Sequence, residues 1–236
     1  MILFLKEGGL GDFRYHTKTV ITVAHFLMRT RAAFLANDGT LVEDLLCNPN
    51  PDRIRLLHGA TEGLRLLHAA GYRLIVVSNQ AGVAHGHFPE EAVAAVKEQL
   101  RNLLAEADVP LAGFYYCPHH PRGTVPPYAV ACSCRKPEPG LILHAAREHQ
   151  VDLAHSWLIG DILNDIEAGR RSGCKTVMIN NGGETGLVLS PGRRPHYFAA
   201  DLTEAASIIT FVSAPTQPTI LRYAYPRGVV LAKKAM

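Results

Sequence analysis

Over residues 31–211 the apolar residues change their spacing repeatedly. Runs of four or five apolar positions alternate with stretches of helical period, and this alternation restricts the possible folds more than any other feature. Short runs at residues 32–35, 74–77, 113–116, 156–159 and 176–179 predict strands. Residues 61–70, 89–107, 139–149, 165–172 and 202–211 predict helices. The first helix carries Leu64, Leu67 and Ala70 as a stripe and meets Gly71, a residue suited to the turn that ends a helix. The second opens on Pro89, Glu90 and Glu91, which suit a helix start. Strands joined by helices imply a parallel sheet with right-handed crossovers, an α/β doubly wound, Rossmann-like fold. In such sheets ligands sit beyond the carboxyl ends of the strands. That rule selects residues 36–40, 78–80, 135–136 and 161–165.

A second pattern lies where the third strand ends. Cys117 and His119 form C-x-H; after twelve intervening residues Cys132 and Cys134 form C-x-C, followed at once by Arg135, Lys136 and Pro137. Three thiols and one imidazole in two short knuckles match a tetrahedral Zn2+ site without an open position, a site that staples a loop and performs no chemistry. The alternative is a set of scattered core cysteines. Cys47 and Cys174, the remaining cysteines, read as buried small hydrophobes. Five cysteines used in this way suit a reducing compartment better than a disulfide framework.

The 236 residues suffice for one domain with extensions: 1–29 as an N-terminal extension, 30–212 as the domain and 213–236 as a tail broken by Pro215, Pro218 and Pro226. The formal charge of +3 is small, and basic residues gather only in pairs such as Arg170-Arg171 and Arg193-Arg194. Nucleic acid is therefore not an expected partner, whereas a phosphate-sized anion is. No apolar run is long enough for a membrane span, and the N-terminus lacks the order of a signal peptide, so a cytoplasmic location is expected. His58, His68, His144 and His149 fall on helical segments and are expected to be surface or core residues without partners.

The segments FLANDGT, VVSNQAGVAHG, CPHH, CSCRKPEPG and LIGDILNDIEAG together resemble the haloacid dehalogenase (HAD) superfamily, and the metal loop narrows this to the histidinol-phosphatase and heptose-bisphosphate phosphatase branch. The resemblance covers about residues 30–212 and implies a HAD-like domain without a large cap. It implies a Mg2+-dependent phosphoric monoester hydrolase whose first Asp in Asp-x-Asp-Gly-Thr attacks phosphorus and whose second serves as acid and base. Gly39-Thr40 fix the register, placing Asp38 in the acid/base position and Ala36 where the nucleophile belongs. A methyl group cannot attack phosphorus, so the chain is expected to be a poor or inactive phosphatase. The resemblance further implies that Ser78 donates to a phosphoryl oxygen and Lys136 neutralises phosphate charge. Asp161 and Asp38 would hold magnesium, and Asp165 would orient Lys136 or a metal-bound water. Asn37, Asp44, Asn79, Gln80 and Arg135 are the expected substrate contacts, and residues 82–86 a covering loop. The implied substrate is a small phosphorylated metabolite, foremost D-glycero-D-manno-heptose 1,7-bisphosphate losing its 7-phosphate, with histidinol phosphate second. A different class of function is an inactive relative that binds a sugar phosphate or a partner protein.

Overall fold

The computed structural model describes residues 30–43, 50–182 and 190–214. Six strands form one parallel sheet: β1 (Arg31–Leu35), β2 (Tyr72–Asn79), β3 (Leu111–Cys117), β4 (Trp157–Gly160), β5 (Lys175–Ile179) and β6 (Tyr197–Ala199). Five helices accompany them: α1 (Ala60–Ala69), α2 (Glu91–Glu106), α3 (Gly140–Glu148), α4 (Leu163–Ser172) and α5 (Leu202–Ser213). The expected doubly wound architecture is thus present, with boundaries moved by at most two residues. Strand β6 lies outside the expectation. Its three residues are too few to show a period, and two of them, Tyr197 and Phe198, remain exposed at the sheet edge.

The strand order is β3-β2-β1-β4-β5-β6. From β1 the chain winds outward to β3, then returns to the other side of β1 and winds outward again. The order reverses between β1 and β4, and the carboxyl ends of those two strands flank the crevice where such sheets bind ligands.

Alternation along the strands divides the core into two layers. Ala33 and Leu35 of β1, Leu74 and Val76 of β2, and Trp157 and Ile159 of β4 join Leu64, Leu67, Leu100, Leu104, Leu202 and Ile209 on one face. Ala32, Phe34, Ile75, Val77 and Leu158 face Leu141, Ile142 and Ala145 on the other. Both faces being covered explains why these strands read as continuous apolar runs. Each large side chain buried here contributes about 1.5–3 kcal/mol. Helix α1 stops as its sequence requires: Gly71 has φ +84° and its N–H bonds to the His68 carbonyl at 2.9 Å. Asp201 starts α5 by accepting from the Glu204 N–H at 2.8 Å.

Two of the expected partnerless histidines have partners. His149 meets the Tyr115 hydroxyl at 2.9 Å, and His144 lies 3.7 Å from Glu148, one helical turn away. The sequence spacing hid the first of these because Tyr115 arrives from β3. No helix among the described residues is long and apolar enough to cross a membrane.

Candidate active site

The loop after β1 is held by its backbone. The Ala36 N–H bonds to the Ile159 carbonyl at 2.9 Å, tying β1 to β4 at the switch point. The Asn37 carbonyl accepts from Thr40, Leu41 and Val42 at 3.3, 2.8 and 3.1 Å, so the chain turns sharply around residue 38. Gly39 sits at φ +73°, and a Cβ there would fall on the Asp161 carboxylate. Ala36 and Asn37 are buried, whereas Asp38 is exposed at the mouth. Asn37 turns its amide toward Asp38, with Nδ2 3.2 Å from Oδ1, instead of into open solvent.

At the end of β2, Gln80 donates to the Ser78 hydroxyl oxygen at 2.8 Å and lies 3.4 Å from the Asp38 carboxylate. The Ser78 oxygen is thereby an acceptor for Gln80 while its own proton is available to another acceptor. Asn79 is occupied differently. Its Nδ2 donates to the Lys136 carbonyl at 3.1 Å, and its Oδ1 accepts from the Lys136 N–H at 3.0 Å. This two-sided clamp makes Asn79 a positioning residue for Lys136.

Lys136 projects from the second knuckle into the crevice and is 4% exposed. Its ammonium donates to the Val77 carbonyl at 2.8 Å and pairs with Asp165 at 2.6 Å. Asp165 comes from the first turn of α4 and is itself 1% exposed, so both charges are desolvated and depend on each other. Asp161, at the end of β4, accepts from the Thr40 hydroxyl at 2.9 Å. Burial, reinforced by the Asp165 charge, pushes its carboxyl up to about 6.

The knuckles meet as their spacing predicts. The ligand atoms of Cys117, His119, Cys132 and Cys134 all lie within 4.8 Å of one another. Sulfur–sulfur separations of 3.0, 3.1 and 3.5 Å approach the roughly 3.8 Å edge of a tetrahedron with 2.3 Å metal–sulfur bonds. The group can therefore hold a metal ion. Burial, helped by the hydrogen bond with Cys134, pushes the Cys117 thiol up, and a cation would favour the thiolate instead. Arg135 is half-buried beside this cluster and donates to the His119 carbonyl at 3.2 Å. The same knuckle segment holds the loop after β2, since Thr124 and Val125 both donate to the Ala84 carbonyl, at 2.8 and 3.0 Å.

Residues 133–205 match a family model described as HAD-hydrolase-like. A D-glycero-beta-D-manno-heptose-1,7-bisphosphate 7-phosphatase from Salmonella typhi is 38% identical over 152 residues, 64% of this chain and 81% of the relative. The chain belongs to the HAD-like hydrolases, in the heptose-bisphosphate phosphatase branch. The phosphatase of the same name from Photorhabdus laumondii is 42% identical over 137 residues, covering 58% of this chain and 73% of the relative. A crystal structure of the D,D-heptose 1,7-bisphosphate phosphatase from B. bronchiseptica, complexed with magnesium and phosphate, superposes with TM-score 0.65. It is 26% identical and covers 78% of this chain and 99% of its own.

In this HAD-like crevice the structure brings together Ala36, Asp38, Ser78, Gln80, Lys136, Asp161 and Asp165. Asp44 lies outside the described residues, as does Cys47. Two contributions escaped the sequence reading. Thr40 falls in the selected strand-end segment, but its partner does not show in the sequence: its hydroxyl fixes the Asp161 carboxylate. Asn181 donates to the Gly39 carbonyl at 2.8 Å and pins the β1 loop from the far side. It follows β5, so the strand-end rule applied to that strand would have found it.

Proposed function

We propose that this chain binds D-glycero-D-manno-heptose 1,7-bisphosphate in the crevice between β1 and β4, with the 7-phosphoryl group against Ser78 and Lys136, and that it turns the ester over slowly or not at all. The observation that carries the reading is Ala36. It stands in the nucleophile position of a site whose phosphate-facing residues are otherwise in place. The names of the relatives at 38% and 42% identity favour the heptose bisphosphate over histidinol phosphate. Asp38, beside Gln80 at the mouth, keeps a carboxylate suited to proton transfer, but general base catalysis by it cannot replace the missing covalent step.

The Cys117, His119, Cys132 and Cys134 group would hold zinc, since three thiolates and one imidazole with tetrahedral spacing are a closed zinc donor set. Its role is to fix the backbone that delivers Arg135 and Lys136. Magnesium fits less completely: Asp161 and the Asp38 carbonyl remain as protein oxygens, and Ala36 offers none. When bound, the ion would neutralise phosphoryl charge.

The same Ala36 favours a second reading, a silent sugar-phosphate-binding relative whose readout is occupancy. Phosphate release from the heptose bisphosphate with magnesium, measured for this chain and for Ala36→Asp, separates the cases. Turnover by the Asp variant alone is the expected result. Equal turnover by both would overturn the assignment of position 36. Binding without turnover in either would leave the silent reading alone.

A further inference from the structure

The loop after β2 is closed on itself and seated against the knuckle segment. His85, Gly86 and His87 donate their N–H groups back to the carbonyls of Ala81, Val83 and Gly82 at 3.1, 3.1 and 2.9 Å, and a Cβ at Gly82 would fall on the Phe88 ring. The Ala84 carbonyl takes the bonds from Thr124 and Val125, and the Thr124 hydroxyl donates to the His85 carbonyl at 3.3 Å. Glu90 closes the loop as the N-cap residue of α2, where a side-chain oxygen ordinarily serves the helix N–H groups. Its side chain caps none of them. Instead one oxygen accepts from the Tyr116 hydroxyl of β3 at 3.0 Å, and the other from the Tyr128 hydroxyl of the knuckle segment at 2.6 Å. Residues 26 and 38 positions further on thereby meet the end of the loop on one carboxylate.

Hydrogen bonds to an ionised acceptor are the strong ones, and this side chain forgoes its own helix end to accept two of them across the fold. The start of the loop is held independently, since the Gln80 N–H donates to the Cys117 carbonyl at 2.8 Å. Val83 and Phe88 are buried in the core layer, so the loop stays seated on the sheet even without the carboxylate. We propose that Glu90 is a positioning residue that latches residues 81–89 onto the knuckle segment beside the crevice, so that the two move as one unit. Resting on the reading given under Proposed function, the consequence for the ligand is retention. Loss of the latch leaves Ser78 and Lys136 in place, so inorganic phosphate still binds, but a sugar ester that extends under the loop leaves faster.

Amide hydrogen exchange of the full chain, with zinc and magnesium present and no other ligand, reads the latch directly. Glu90→Ala is expected to speed exchange at residues 82–87 and at Thr124 and Val125 together. The rise should be about tenfold or more, the scale of one hydrogen bond to a charged group, with the interior of α2 at residues 95–104 unchanged. Tyr128→Phe removes only the shorter bond and should give a smaller rise at the same positions; it carries the test if Glu90→Ala folds poorly. Glu90→Gln, which keeps a hydrogen-bonding group at each position without the charge, should restore part of the protection. Unchanged exchange in the loop of the folded variants would overturn the proposal. A rise shared equally by α2 would do so too, because Glu90 would then be a general support of the fold. Dissociation of heptose 1,7-bisphosphate followed by stopped flow reads the consequence. Faster release from Glu90→Ala with unaltered inorganic phosphate affinity is expected, and equal release rates would overturn the retention role. If the unaltered chain binds neither probe, the reading under Proposed function falls, and the exchange result still decides the latch.

Discussion

If position 36 is the nucleophile position, as proposed, its methyl group bears on the cation as well as on the covalent step. It offers no oxygen to an ion held by Asp161 and the Asp38 carbonyl. Ala36→Asp is therefore expected to bind magnesium more tightly than the unaltered chain, by about tenfold or more, the scale of one added charged contact. Isothermal titration with magnesium alone reads this directly, and equal affinities would remove position 36 from the cation shell. Asp161 adds a pH dependence whose sign can be worked out. Its carboxyl ionises near 6 in the fold against an ordinary value of 3.8, so the folded state resists its charge. The stability this group contributes is complete below about pH 4 and is lost as pH rises through 6, a change on the order of 3 kcal/mol. Protons compete with the cation over the same window. Magnesium affinity should then fall between pH 7.5 and pH 5, and Asp161→Asn should flatten that profile while weakening binding throughout. A profile unchanged by the substitution would assign the titration to another group.

At the scale of elements, the knuckle segment is the piece most dependent on something other than its own sequence. Residues 118–139 contain no helix or strand, and their anchors include the Cys/His group, the Asn79 clamp, the bonds to Ala84, the Tyr128–Glu90 hydrogen bond and the Lys136–Asp165 pair. Removing the metal ion proposed for this group with a chelator is expected to lower the melting temperature and weaken inorganic phosphate binding together, because the segment that loosens is the one that delivers Lys136. A chelated protein with unaltered melting and phosphate affinity would show that the metal group has no structural role. This segment was legible in the sequence because metal ligands must be close and their types are few. The elements around it were legible because both faces of the sheet are covered, so strands read as apolar runs and helices as stripes. Strand β6 was not, since three residues with two exposed aromatic rings carry no period.

Across the whole molecule, the residues at the strand ends could be read from the chain, but the partnerships among them could not. Lys136 depends on Val77 and Asn79, 59 and 57 positions earlier, and on Asp165 in α4. Nothing in the local sequence says that Asn79 turns toward a backbone and away from a ligand. The buried Lys136–Asp165 pair joins the knuckle segment to α4, and the Thr40–Asp161 bond joins β1 to β4. Ligand occupying the crevice would touch both connections, so binding should stabilise the folded chain as a unit. For a ligand that binds only the folded state, a concentration of 100 times Kd contributes about 2.7 kcal/mol. In a domain of this size that corresponds to a rise in melting temperature of roughly 5–10 °C. If Ala36 leaves the ester intact, as proposed, the shift produced by heptose 1,7-bisphosphate with magnesium should persist through hours of incubation in this chain. In Ala36→Asp it should decay toward the smaller shift given by the monophosphate and free phosphate as the ester is consumed. A shift that decays equally in both would mean that the chain hydrolyses its ligand without a carboxylate at position 36. A persistent shift in this chain alone would mark it as a stable sugar-phosphate binder built on a phosphatase crevice.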